Sequence, residues 1–172
     1  MTAELDRARS LVVEIPDHPE AGVLFRDIAP MLADARALRA AAQAMIEPFA
    51  GSFDAVAGIE ARGFLLAGAA AVLSGTGLVP IRKAGRLPRP AASAEYELEY
   101  GSDRIEMHAD LPAGARVLLV DDVLATGGTL QAACGLVPRT GAEVAGVSVL
   151  LELAELGGRE RLRGIPLHAL WR

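Results

Sequence analysis

Residues 116–129 read RVLLVDDVLATGGT, and the fold is decided there. Val117–Val120 is a short apolar run bounded by charge, the pattern of a central parallel strand buried on both faces. Asp121 and Asp122 follow side by side, then Ala125-Thr126-Gly127-Gly128-Thr129 and a segment that reads as helix from Thr129 to Val137, where Pro138 stops or kinks it. Glycines let a backbone turn tightly and bring its N–H groups close to a ligand. Thr126 and Thr129 add hydroxyl donors, and the helix start supplies the positive end of a dipole. Residues 125–129 therefore make a phosphate cradle. The two acids repel phosphate, but they accept bonds from sugar hydroxyls or hold the waters of a Mg²⁺ ion. A phosphorylated ribose fits both halves. GxxxxGK[ST] and GxGxxG are absent, which excludes a P-loop NTPase and weakens a dinucleotide site.

Working outward, two further turns carry charge at the end of an apolar strand. Ala55–Ile59 runs into Glu60-Ala61-Arg62-Gly63 and a helix over Phe64–Leu73. Arg62 opposes the dipole of that helix, so it needs an anionic partner: either a pyrophosphate or an ion pair with Glu60. Leu78–Ile81 runs into Arg82, Lys83, Arg86 and Arg89, a basic loop in a chain of net charge −5. A local basic cluster on an acidic protein is best explained by an anionic ligand. Lys83 is the only lysine. Strands alternating with helices imply a mostly parallel α/β sheet flanked by helices, which brings all these turns to one edge.

The remaining segments are weaker signals. Ala3–Val13 reads as a short amphipathic helix. Ile15–Ile28 is loop-like, with Phe25 beside Arg26 and Asp27. Asp34 caps a helix over Arg36–Pro48 whose buried stripe is Leu38, Ala41, Ala42, Met45 and Ile46. Ala94–Asp110 alternates as a β-hairpin around Gly101-Ser102-Asp103, has few large apolar residues, and reads as a mobile lid. His108 reads as an exposed hairpin residue rather than a catalyst. Val144–Leu150 is another buried strand, Gly157–Leu162 a turn and short helix, and Leu167–Leu170 an edge strand. Gly63–Ile81 carries no charge, but Gly75, Gly77 and Pro80 break it into helix, turn and strand rather than a membrane span. With 172 residues, 52% of them hydrophobic, the chain is expected to be one domain. The acidic balance argues against nucleic-acid or membrane partners. The lone Cys134 excludes an internal disulfide, reads as packing, and fits a reducing cytoplasm.

Assembled, GVLFRDI (22–28), AGIEARGF (57–64), PIRKAGRLPR (80–89), YELEYG (96–101), VDDVLATGGT (120–129) and LELAELGGRERL (151–162) resemble the type I phosphoribosyltransferases over nearly the whole chain. The FRDI, EARGF and LEYG blocks point to the branch that uses adenine. The resemblance implies transfer of the phosphoribosyl group of 5-phosphoribosyl 1-pyrophosphate to adenine, giving AMP and pyrophosphate, with Mg²⁺ and in a homodimer. It implies a hood from residues 1–30 and about 151–165, and a lid over about 84–110. Ala125, Thr126, Gly127, Gly128 and Thr129 would hold the 5-phosphate, and Asp121 and Asp122 the ribose hydroxyls and, through water, the metal. Arg62, Arg82, Lys83 and Arg86 would face pyrophosphate, together with a cis peptide between Glu60 and Ala61. Phe25 and Leu153 would sandwich adenine, backbone groups at Leu24, Phe25 and Arg26 would read its edge, and Glu99 with Tyr100 on the lid would assist proton movement. A 6-oxopurine would need a donor at its carbonyl, and the one lysine lies on the pyrophosphate loop. A regulator that binds the donor without turnover would need a basic face for nucleic acid, and none is apparent.

Overall fold

The computed structural model describes residues 3–98 and 101–172. In chain order its elements are α1 (Ala3–Ser10), β1 (Val13–Ile15), β2 (Phe25–Asp27), α2 (Ala29–Ala33), α3 (Ala35–Ile46), β3 (Ala55–Ile59), α4 (Gly63–Ser74), β4 (Gly77–Lys83), β5 (Ala92–Leu98), β6 (Gly101–Met107), β7 (Arg116–Leu124), α5 (Gly128–Leu136), β8 (Glu143–Glu152) and β9 (Leu167–Trp171). A seven-stranded sheet has the order β5-β6-β4-β3-β7-β8-β9. The five strands β4, β3, β7, β8 and β9 pair in parallel, and the hairpin β5–β6 joins antiparallel at one edge.

Both faces of the sheet are covered, which is why its central strands are apolar throughout. Val56, Leu118, Val120 and Leu150 pack with Ala41, Met45 and Leu66 of α3 and α4. Their neighbours Ala57, Ile59, Val117, Leu119, Val147 and Val149 face the other way, onto Leu130, Ala133 and Leu136 of α5. This alternation is the period of two expected of a strand. The Asp34 carboxylate accepts the backbone N–H groups of Arg36 and Ala37 as the expected cap, and Arg7 of α1 also holds it. The buried stripe of α3 shifts slightly, with Ala37 fully buried and Leu38 half-buried. α5 ends at Leu136, and Pro138 opens a 3₁₀ turn over Val137–Thr140.

Several boundaries differ from the sequence reading. β4 and β7 run past their apolar runs, so Arg82, Lys83, Asp121 and Asp122 lie inside strands rather than beyond them. Each extension has a neighbour that sustains it: Arg82 and Lys83 pair with Glu106 and Ile105, and β7 pairs with β8 as far as Leu124 opposite Glu152. Phe25–Asp27 is a strand, paired antiparallel with Val13–Ile15 in a separate two-stranded ribbon. Three-residue strands carry too little alternation to be read from sequence. Gly101-Ser102-Asp103 belongs to β6, with Leu98 opposite Gly101. The base of the hairpin is anchored, since Ala94, Ile105 and Met107 are buried in the α5-side core. His108 Nε2 lies 2.6 Å from the Pro88 carbonyl oxygen, and that side chain is largely covered. Among the described residues no helix is long and apolar enough to cross a membrane.

Candidate active site

The carboxyl ends of β3, β4, β7 and β8 share one edge of the sheet, and the charged turns gather there. After β7, residues 125–127 lead into α5, whose first residue is Gly128. Gly127 has φ +81°, a left-handed conformation that favours glycine. Its surroundings exclude a side chain as well, because a Cβ there would sit 2.6 Å from the Gly158 carbonyl oxygen. Reciprocally, a Cβ on Gly158 would lie 2.1 Å from the Ala125 carbonyl oxygen. The loop is thus seated backbone-to-backbone on the Gly157–Gly158 turn. Thr126 is exposed and Thr129 half-buried, so hydroxyls and amides at the helix start are placed to take an anion.

The acid pair sits earlier in β7, separated from this loop by Val123 and Leu124. Burial, and then the neighbouring Asp122 carboxylate, push the Asp121 carboxyl well above the ordinary carboxylate range. Asp121 Oδ1 accepts the Asp122 N–H at 2.9 Å. The start of α4 presses against it, since a Cβ on Gly63 would be 2.9 Å from Asp121 Oδ1. Arg62 supplies the compensating cation, with Nη2 2.6 Å from Asp122 Oδ2. Its Nη1 donates to the Arg26 carbonyl at 3.2 Å, and its guanidinium carbon lies 5.0 Å from the Phe25 ring centroid. Arg62 therefore ties the acid pair to the β2 ribbon, and its ion-pair partner is Asp122 rather than Glu60.

Glu60 organises the other cations. Its carboxylate, only 8% exposed, takes Arg82 through two nitrogens at 3.3 and 3.2 Å, Arg86 Nη1 at 2.5 Å, and the Lys83 backbone N–H at 3.0 Å. Burial alone would raise this acid; the bonds from Arg82, the Lys83 amide and Arg86 outweigh it and hold it at about 2. Lys83 Nζ lies 3.0 Å from Asp103 Oδ2, and the Tyr96 hydroxyl donates to the same oxygen at 3.2 Å. The Asp103 partner pushes the Lys83 ammonium upward, so it stays charged. Burial is the largest cause of a rise in the Tyr96 phenol. The Glu60–Ala61 peptide is cis, as is His18–Pro19.

The structure brings Arg62, Asp121, Asp122 and Phe25 together, and joins Glu60 to Arg82, Lys83 and Arg86. Leu153 follows β8, half-buried, its N–H bonded to the Leu124 carbonyl at 2.9 Å. Leu24 is 42% exposed in the turn before β2. Glu99 and Tyr100 lie outside the described residues. Sequence reasoning missed His18, whose ring packs edge-on against Phe25 with centroids 5.1 Å apart, and it missed Tyr96, Asp103 and Gly158 as site neighbours. Only Gly158 left a signal, as half of a Gly-Gly pair followed by charge.

Known proteins resemble the chain over nearly its whole length. The model of the phosphoribosyl transferase domain matches residues 27–164. The adenine phosphoribosyltransferase of Renibacterium salmoninarum is 56% identical over 168 residues, covering 97% of this chain and 92% of that protein. The crystal structure of adenine phosphoribosyltransferase from Rhodothermus marinus superposes with a TM-score of 0.91 at 45% identity, covering 98% of this chain and 97% of that one. The Saccharomyces cerevisiae enzyme, solved with an imino-altritol bisphosphate and adenine, gives 0.92 at 35% identity over 99% of both chains.

Proposed function

Because the chain belongs to the adenine phosphoribosyltransferases within the phosphoribosyltransferase family, we propose a division of labour for the residues of its site. The reaction joins adenine to the phosphoribosyl group of 5-phosphoribosyl 1-pyrophosphate, giving AMP and pyrophosphate. The amides and hydroxyls of residues 125–129 take the 5-phosphate. The observation that carries this is the left-handed Gly127 locked against Gly158 at the start of α5. Asp121 and Asp122 take the ribose hydroxyls. Lys83 and Arg62, with Arg82 and Arg86, meet the pyrophosphate, together with the backbone of Glu60 and Ala61. Phe25 and Leu153 hold the adenine ring, while the backbone of Leu24–Arg26 reads its edge. Glu99 and Tyr100 complete the lid.

The acid pair also suits a Mg²⁺ ion. Among the described residues no three acids, histidines or cysteines cluster, and Asp121 and Asp122 are the carboxylates these residues place together here. Mg²⁺ keeps several waters and uses one or two carboxylates plus substrate phosphates, which fits. Asp121, pushed toward its protonated form by burial and Asp122, is a site where added positive charge is welcome. When bound, Mg²⁺ neutralises charge on the departing pyrophosphate. The chain's own cations do the same from Lys83 and Arg62, and the acids face the positive charge that develops on the ribose carbon. Closing the lid excludes water that would waste the donor. Glu99 assists loss of the N9 proton of adenine.

Residues 1–30 and about 151–165 form the hood and about 84–110 the lid of this single domain. A second copy covers α4, where Leu65 is 56% and Val72 82% exposed beside Leu38, Phe64 and Leu73. α4 begins at Gly63, directly after Arg62, so that interface would brace the site. The lone, half-buried Cys134 suits a reducing cytoplasm. The test is pyrophosphate release from 5-phosphoribosyl 1-pyrophosphate and Mg²⁺ with adenine, hypoxanthine or no base. Release with adenine alone is expected. Release with hypoxanthine but not adenine would overturn the base assignment, and no release with any base would favour a non-catalytic binder. Light scattering on the same sample should give twice the chain mass.

A further inference from the structure

We infer that Glu152 and Arg159, which touch no substrate in this reading, are positioning residues for the 5-phosphate loop; the inference rests on the assignment of residues 125–129 made above. Glu152 is the last residue of β8 and stands opposite Leu124, the last residue of β7. Its side chain is 5% exposed, and both its oxygens are engaged by one guanidinium. Arg159 Nε lies 2.8 Å from Oε1 and Nη2 2.6 Å from Oε2, a two-pronged contact that fixes angle as well as distance. Arg172 Nε adds a third bond at 2.9 Å. The chain between Glu152 and Arg159 is therefore a closed loop pinned at its base. Gly157 and Gly158 immediately precede Arg159 in that loop, and Gly158 is the residue on which Ala125 and Gly127 rest.

The consequence is directional. Glu152 is fixed to the sheet, so Arg159 can hold the Gly157–Gly158 turn only at one distance from the end of β7. That turn sets how far the phosphate loop can retreat from its ligand. Leu153, on the adenine side, keeps its own bond to the Leu124 carbonyl and does not depend on the bridge. Loosening the bridge should weaken the grip on phosphate and spare the grip on the base.

The test compares Kd for AMP with Kd for adenosine, which differ only in the phosphate, in the parent, Arg159→Ala, Arg159→Lys and Glu152→Gln. The parent should bind AMP more tightly than adenosine; if it does not, the reading of the site fails and not merely this inference. In Arg159→Ala the preference for AMP should fall by about 10- to 100-fold, the scale of a loop displaced by roughly 1 Å. Adenosine should hold within about threefold of the parent, and Arg159→Lys, a point charge without the fork, should restore only part. An equal loss for both ligands would mark a merely structural bridge and overturn the proposal, as would no loss at all. Arg159 is 36% exposed, so its variants carry the test even where Glu152→Gln folds poorly.

Discussion

Replacing Arg62 with Met removes one guanidinium and three contacts while keeping most of the stem. The largest loss is the partner of Asp122, whose side chain is 9% exposed. Breaking a buried pair from one side costs about 3–5 kcal/mol, but Arg62 is 35% exposed, and solvent screening reduces this to about 1–2 kcal/mol. The bond to the Arg26 carbonyl adds about 1 kcal/mol and the stacking over Phe25 about 0.5 kcal/mol. The sum, about 2.5–3.5 kcal/mol, should lower Tm by about 5–14 °C in a domain of this size. Activity should suffer separately, because a cation facing developing negative charge contributes about 10²–10³ in kcat. The Tm deficit should also depend on pH. Arg62 is one of the groups restraining Asp121, so its loss raises that carboxyl further. A folded pKa raised above the unfolded value leaves stability intact below the ordinary carboxylate range and removes it as pH rises, so the deficit should be wider at about pH 8 than at about pH 5. Thermal denaturation at both pH values and steady-state kinetics check all three. A Tm within about 2 °C of the parent, together with kcat/KM within about threefold, would refute the placement of Arg62 at the centre of the site.

Gly158→Ala should raise KM for the phosphoribosyl donor by about 100-fold, because its Cβ at 2.1 Å from the Ala125 carbonyl oxygen forces the loop or the turn to move by about 1 Å. Gly135→Ala in α5, the helix that follows the phosphate loop, meets nothing within 4 Å and should leave steady-state kinetics as they are. Glu60 is held at about 2 against an ordinary 4.5, so its stabilising contribution is present above pH 4.5 and is lost as pH falls toward about 2. Thermal melts should accordingly show Glu60→Gln below the parent at neutral pH, with the two converging in acid. Cys134, its thiol pushed up to about 11 by burial, should resist alkylation in the native protein at about pH 8 and react fully in urea, as read by mass spectrometry.

What the chain discloses before folding follows from how far apart the interacting residues lie. β3, the core of β7 and the Asp34 cap depend on a few consecutive residues, and each was legible. The glycine loop was legible for the same reason, as was Pro138 at the end of α5. The convergence of charged turns followed from parallel topology alone. The pairing of those charges did not. Glu60 could have joined Arg62, two residues away, but its partners are Arg82 on the next strand and Arg86 in the turn after it. Arg62 reaches instead across β3 to β7 and down to the β2 ribbon. Such choices depend on side-chain direction at strand ends, which periodicity does not encode. The need for glycine at 158 is likewise a property of two backbones that meet only in the folded chain.

The central claim is that chain turns at one sheet edge surround a single phosphorylated sugar, with the glycine loop as its anchor. A crystal structure with AMP bound measures this directly. The phosphate oxygens are expected about 3 Å from the backbone nitrogens of residues 126–129, with the ribose hydroxyls on Asp121 and Asp122. A phosphate seated against the basic loop at 82–86, or anywhere else away from the start of α5, would contradict it.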